Sequence, residues 1–502
     1  MDAVTAAELK RLKDIKIHIE RIAKDFGLAF YEQKFDIISS DRMIEMMAYG
    51  LPVNFSHWSH GRDYEILRTQ FENSGGGLPL EVVYNLKPTR AYLLKTDPVA
   101  LKITTMAHVY AHNDFFTNSR LFKDTWETML TFASSARDRF LKYEATYGVE
   151  AVEKTIEHFK SIANHIDPDL ARRYDDLPED YNDEENPAKV EEPDPFRKAF
   201  PKKAKQKDID PDPDDFVKLP EEDLLYFIIK HSPLRPFQKD IGNVLWEQAR
   251  YFSPQMRTKV MNEGWAGYWH KKIMQKLLEE KLINEEEYSA YLVWDSRVFA
   301  NDPRSYNPYL VGRSIWQSIE ERWDKGQFCE EWDRCIDSYE KEHWDKGLGL
   351  GRKKIFEVRR AYSDRFFIEH FLTQKIVDDL KLYIYGYENG ELVILEDDYE
   401  IIKKILIDMH TNFGIPYIIV SDDPLIKEKG VLVLKHVFSG LPLDEEYKNR
   451  TMEHIFALWQ KTVILRSKLV GKNGPYCVTF SYSQAKGHKT EENCKSGYCR
   501  HE

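Results

Sequence analysis

The chain of 502 residues has no stretch of about 18 uncharged apolar residues, so no membrane-spanning helix is expected. Its first residues, MDAVTAAELKRLKDIK, carry no apolar core behind their charges, and a secretory signal is not expected either. Cysteine is scarce: of five, Cys329, Cys335 and Cys477 are isolated and only Cys494 and Cys499 are close. A disulfide framework is therefore not expected, and the thiols are read as reduced. Positive charge is not in excess, since 72 Lys and Arg against 84 Asp and Glu leave a formal charge of −12. That argues against a nucleic-acid coat or a binder of anionic membranes. Together these absences point to the cytoplasm. What is present is aromatic: 28 Tyr, 27 Phe and 11 Trp, within a chain that is 42 % hydrophobic, exclude global disorder.

The length suggests two to four structural units at roughly 100 to 200 residues each. The pattern predicts an α+β protein with a mainly helical N-terminal body. Residues 1–167 form its first half. They open on a capping box at Thr5 and Glu8 with apolar positions Leu9, Leu12, Ile15, Ile19 and Ile22 before Gly27. A short helix over 41–48, a strand in LPLEVVYNL from Leu78, a helix entered through Asp97 and Pro98, and a long helix from Asp124 to Tyr147 follow. Residues 168–220 hold nine of the 22 prolines among acidic runs and read as a linker or extended arm; the basic cluster Lys202, Lys203, Lys205 and Lys207 is neutralised by its flanks. Residues 221–375 are the second helical half, with a break expected at Pro254. Residues 380–483 read as a smaller C-terminal α+β domain, built from a hairpin around Asn389-Gly390, further strands, and a helix from Glu445 to Leu469. Residues 484–502 read as a disordered tail.

The sharpest local motif is MAHVYAHNDFF. His108 and His112 stand four apart in a predicted helix, so both imidazoles leave one face and can share an ion. Two histidines alone are more often packed core residues. MNEGWAGYWH adds Glu263 and His270, two helical turns apart in an aromatic setting where a lone carboxylate would be costly. Two His and one Glu form the ligand set of a catalytic zinc site with one open position, and His270 is a candidate further ligand or supporting donor. The bland alternative for Glu263 is a buried ion pair. Val109 stands where a zinc peptidase has its general base, so Asp114 and His60 are the candidates for proton transfer. HWSHGRDYE offers His57, Trp58, Arg62 and Tyr64 as a substrate-binding loop, or as a hydrogen-bonded loop anchored by Trp58. The glycines of 75–77 and of 347, 349 and 351 lack the G-K-[ST] of a phosphate loop and read as turns.

FYEQKFDIISSDRMIEMMAYGLPVNFSHWSHGRDYE, MAHVYAHNDFFTN, PQMRTKVMNEGWAGYWH and KIFEVRRAYSDRFFIEHFLT, in this order, make the chain resemble the SpoVR family, the stage V sporulation protein R group. The resemblance runs from about Gly27 to beyond Thr373. It implies a role in spore cortex or envelope formation, or in stress, and a neighbouring serine protein kinase of the PrkA type as a partner; it implies no settled reaction. Ala111 stands where the family usually has Gly, and the Cys/His-containing tail is foreign to it. The expectation is a divalent-metal-dependent hydrolase, zinc first, acting on an amide or peptide bond. The rival is a non-enzymatic scaffold that binds the kinase or another partner.

Overall fold

The computed structural model describes residues 5–74, 81–123, 125, 128–167, 221–302, 305–412, 414–471 and 474–492. The expected linker at 168–220 and Cys494, Cys499 and His501 lie outside the described residues. Nineteen α-helices and ten strands among the described residues make a mainly helical α+β protein.

The chain forms two compact units, neither continuous in sequence. One comprises Met1–Gly50, Arg62–Glu127 and Pro254–Gly414; the other comprises Leu51–Gly61, Thr128–Ser253 and Ile415–Glu502. The stretch read as one domain over 380–483 thus contributes its hairpin and following helix to the first unit and its remaining strands to the second.

In the first unit the helix Ala6–Asp25 is capped as its sequence requires, the Thr5 Oγ accepting from the Glu8 amide, and its apolar stripe of Leu12, Ile15, Ile19 and Ile22 is buried. The helix Val99–Asn118, here the histidine helix, is buried on every side from Ala100 to Phe116, so its polar residues, His108, His112 and Asp114 among them, lie inside the protein. The helix Lys259–Glu279, the glutamate helix, lies against it and against the helix Pro308–Lys325. The last contact is close because two glycines face each other. A Cβ added to Gly264 would come within 2.3 Å of the Gly312 backbone, and Trp316 Nε1 donates to the Met261 carbonyl at 2.9 Å in the same crossing. The sequence expectation of a break at Pro254 is corrected. The helix Pro236–Arg257 carries Pro254 within it, and the chain breaks at Thr258, whose hydroxyl donates to the Pro254 carbonyl at 2.6 Å. Two amides opening the glutamate helix, Val260 and Met261, are capped by the Asp364 carboxylate at 2.8 Å each.

A three-stranded sheet completes the part that carries the site. Thr89–Leu94 is central, parallel to Gln33–Ile38 and antiparallel to Glu81–Tyr84, with Glu81 opposite Leu93. The glycine run near 350 wraps Asp324: the Leu348 and Gly349 amides donate to its carbonyl and the Gly351 amide to its carboxylate, so those donors are engaged within the chain. The hairpin Ile384–Glu388 and Glu391–Glu396 turns through Asn389 and Gly390, both at positive φ, as an Asn-Gly pair favours.

In the second unit a five-stranded sheet has the order Gly487–Glu492, Gly474–Ser483, Val463–Gly471, Leu432–His436 and Ile418–Val420. Two expectations are corrected. The helix from Glu445 ends at Trp459 because Gln460 takes a left-handed cap, and VILRSKLVG that follows is a strand. The tail expected to be disordered from 484 instead supplies Gly487–Glu492, paired antiparallel to Gly474–Ser483; residues 493–502 lie outside the described residues. Cys477 is disulfide-bonded, contrary to the reading of all thiols as reduced, while Cys329 and Cys335 are free.

Candidate metal centre

The histidine helix carries His108 and His112 on one face, their ring centroids 4.5 Å apart and edge to face. Glu263 comes from the glutamate helix. Its Oε2 lies 3.6 Å from His108 Nε2 and 3.4 Å from His112 Nε2. A fourth donor enters from the sheet, where Glu81, the first residue of its strand, places Oε1 3.6 Å from His108 Nε2. One donor atom each from Glu81, His108 and His112 fall within 4.8 Å of one another. Zinc binds N at about 2.0–2.1 Å and O at about 2.0–2.2 Å, which sets the edges of a tetrahedral shell at about 3.3–3.5 Å. The three N···O separations, 3.4–3.6 Å, are of that size.

Both imidazoles are oriented from behind. His112 Nδ1 donates to Asn262 Oδ1 at 2.9 Å, which turns Nε2 toward Glu263. His108 is held through a longer chain. Arg313 Nη1 contacts both oxygens of Asp295 at 2.8 and 2.9 Å, and Asp295 Oδ1 lies 3.0 Å from His270 Nε2. A carboxylate can only accept, so Nε2 of His270 carries the proton and its Nδ1 is an acceptor. His270 Nδ1 lies 2.9 Å from His108 Nδ1. The proton between them therefore belongs to His108 Nδ1, and His108 Nε2 is left as a bare lone pair facing both glutamates. His270 thus spends both ring nitrogens behind His108.

Burial and the facing charges set the protonation of the group. Burial pushes His108 down to about 3, reinforced by the His112 charge, so it is neutral. Burial would also lower His112, but its hydrogen bond to Glu263 and that carboxylate's charge raise it net. Burial would raise Glu263, yet the two imidazoles facing it, His108 and His112, hold it well below the carboxylate range. Glu81, buried and facing the Glu263 charge, is pushed up to about 7.

The remaining sequence candidates are placed as follows. Asp114 is fully buried and engaged: it accepts from Arg359 Nη1 at 2.7 and 2.6 Å, from Trp265 Nε1 at 2.9 Å and from the Ala29 amide at 2.8 Å. His57, Trp58 and His60 belong to the second unit, where His57 Nδ1 accepts the Ser59 amide at 3.2 Å and Lys160 Nζ donates to the Ser59 hydroxyl at 2.7 Å. Arg62 pairs with its neighbour Asp63, and Tyr64 packs against Met43, Ile44 and Leu94 in the first unit. Sequence reasoning passed over Glu81, Asn262, Asp295 and Arg313. An acid opening the strand EVVY was a readable signal for Glu81; no spacing rule joins Asp295 and Arg313 to His270.

Two comparisons bear on this arrangement. Over residues 6–415 the chain matches the family model described as SpoVR like protein. It is similar, at 25 % identity over 479 residues covering 90 % of each chain, to the "Uncharacterized protein YcgB" of Escherichia coli (strain K12). No solved structure matches significantly. A match spanning both the histidine and the glutamate helix leaves one conclusion: the chain belongs to the SpoVR family.

Proposed function

We propose that the chain is a divalent-metal-dependent hydrolase in which His108, His112 and Glu263 hold the ion, with His270 and Asn262 orienting the imidazoles. The observation that supports this is the convergence of two imidazole Nε2 atoms on one carboxylate oxygen at 3.4–3.6 Å, the spacing of ligands around one tetrahedral ion. Neutral imidazole with carboxylate suits zinc before softer or harder ions. Such an ion would polarise a carbonyl and make bound water acidic enough to attack at neutral pH. We assign an amide or peptide bond as substrate, in keeping with the envelope and spore-cortex process that family membership suggests, and the cytoplasm as the place of action. No described helix is long and apolar enough to cross a membrane.

A second reading is favoured by Glu81. Four protein donors can close a structural site, and the chain would then be a scaffold, with a PrkA-type kinase as the proposed partner. The test is metal analysis by mass spectrometry of the purified protein and of His112→Ala and Glu263→Gln, with thermal melts. One ion per chain, lost in both variants from a folded protein, supports the catalytic reading. Loss of folding with the metal supports the scaffold, and full metal retention in both removes the site.

A further inference from the structure

We infer that Glu81 is a displaceable fourth ligand, which closes the centre at rest and gives up its place to an incoming anionic or strongly polarised oxygen. This rests on the metal reading above and specifies how that site opens.

The four donors are not held alike. His108, His112 and Glu263 stand on two helices that pack along each other, and their neighbours Ala107, Tyr110, Ala111, Met261 and Trp265 belong to the main hydrophobic cluster. Glu81 instead opens a four-residue strand at the edge of the three-stranded sheet, hydrogen-bonded among the described residues on its Thr89–Leu94 side alone. Contacts follow the same division. Glu263 Oε2 reaches both Nε2 atoms, whereas Glu81 Oε1 has its one close imidazole contact, 3.6 Å, with His108. Three ligands thus stand on packed helices, and the fourth sits at the end of an edge strand paired on one side only.

Charge gives the direction of exchange. Two neutral imidazoles and two carboxylates around a divalent ion sum to zero, the arrangement that a buried site tolerates best. When Glu81 leaves, one positive charge is uncovered at the open position, and an anionic oxygen restores neutrality. The class of ligand that opens the site is therefore a carboxylate, or a carbonyl polarised toward one. A cationic ligand is repelled by the uncovered charge.

Cobalt(II) in place of the native ion tests this on the full chain, because its visible spectrum reports coordination number and azide serves as the anionic probe. Wild-type protein should take up one cobalt and respond to azide weakly. Glu81→Gln should also take up one cobalt, about 10- to 100-fold less tightly, and bind azide at least tenfold more tightly than wild type. If Glu81→Gln fails to fold, Glu81→Asp, one methylene too short to reach, carries the same expectation. Equal azide affinity in wild type and variant overturns the inference, as does a folded variant that takes up no cobalt, since Glu81 would then be indispensable. Wild-type protein that is folded yet takes up no cobalt removes the metal reading itself, a failure distinct from the other two.

Discussion

Replacing Gly264 by Ala should destabilise the protein although alanine is the better helix former. Intrinsic propensity favours the substitution by about 0.8–1.0 kcal/mol in a helix interior. The structure opposes it: the new Cβ would lie 2.3 Å from the Gly312 carbonyl carbon, 2.5 Å from its Cα and 2.6 Å from the Arg313 nitrogen. All three are backbone atoms, so no rotamer change relieves the clash, and the two helices must part by about 1 Å to recover an ordinary contact of 3.4 Å. Overpacking of this kind costs about 1–3 kcal/mol, toward the upper end where backbone meets backbone, and the expected net loss is about 2 kcal/mol. Urea unfolding followed by tryptophan fluorescence reads it directly, since Trp265 and Trp316 lie at this crossing with ring centroids 4.9 Å apart. Gly61 supplies the control. It is exposed in the helix Trp58–Ser74 with nothing within 4 Å of an added Cβ, so Gly61→Ala should gain about 0.5–1 kcal/mol. A Gly264→Ala protein as stable as wild type, or shifted in the same direction as Gly61→Ala, would refute the packing argument.

Asp295→Asn should weaken metal binding about 10- to 100-fold while leaving the fold intact, because an amide no longer obliges His270 to protonate Nε2 and the tautomer of His108 is released; titration calorimetry and the imidazole 15N shifts check both parts. Metal affinity should rise as pH rises through about 7. In the metal-free chain His112 is raised and Glu81 stands at about 7, so protons compete with the ion below that pH and are released above it. An affinity flat between pH 6 and 8 contradicts this.

Much of the fold was legible where local chemistry decides. The capped first helix, the short helix ended by Gly50 in a left-handed turn, and the Asn389-Gly390 hairpin all follow from caps and turn residues. Legibility fails where a distant contact overrides a local signal. Pro254 reads as a break, yet the helix runs through it to Arg257, and the Thr258 hydroxyl donates to the Pro254 carbonyl at the turn that follows. Ile464, Leu465 and Leu469 continue the helical spacing of the preceding helix, but Gln460 turns the chain and pairing with Gly474–Ser483 fixes a strand. The same division holds at the site. His108 and His112 are four apart and find each other by helix geometry, and Glu263 is conspicuous as an acid among aromatics. Asp295 and Arg313 are invisible in one dimension, because what recruits them is a proton on His270 that only the assembled structure assigns.

The discontinuous first unit has a consequence for biosynthesis. His108 and His112 leave the ribosome 155 and 151 residues ahead of Glu263, and much of the second unit is encoded between them. At about 5–20 residues per second that interval is about 8–30 s. Throughout it the histidine helix, which the folded chain buries on every side, has neither the glutamate helix to cover it nor the Glu263 carboxylate beside its imidazoles. Were the proposed ion bound through His108, His112 and Glu263, its loading would wait for the chain beyond residue 263.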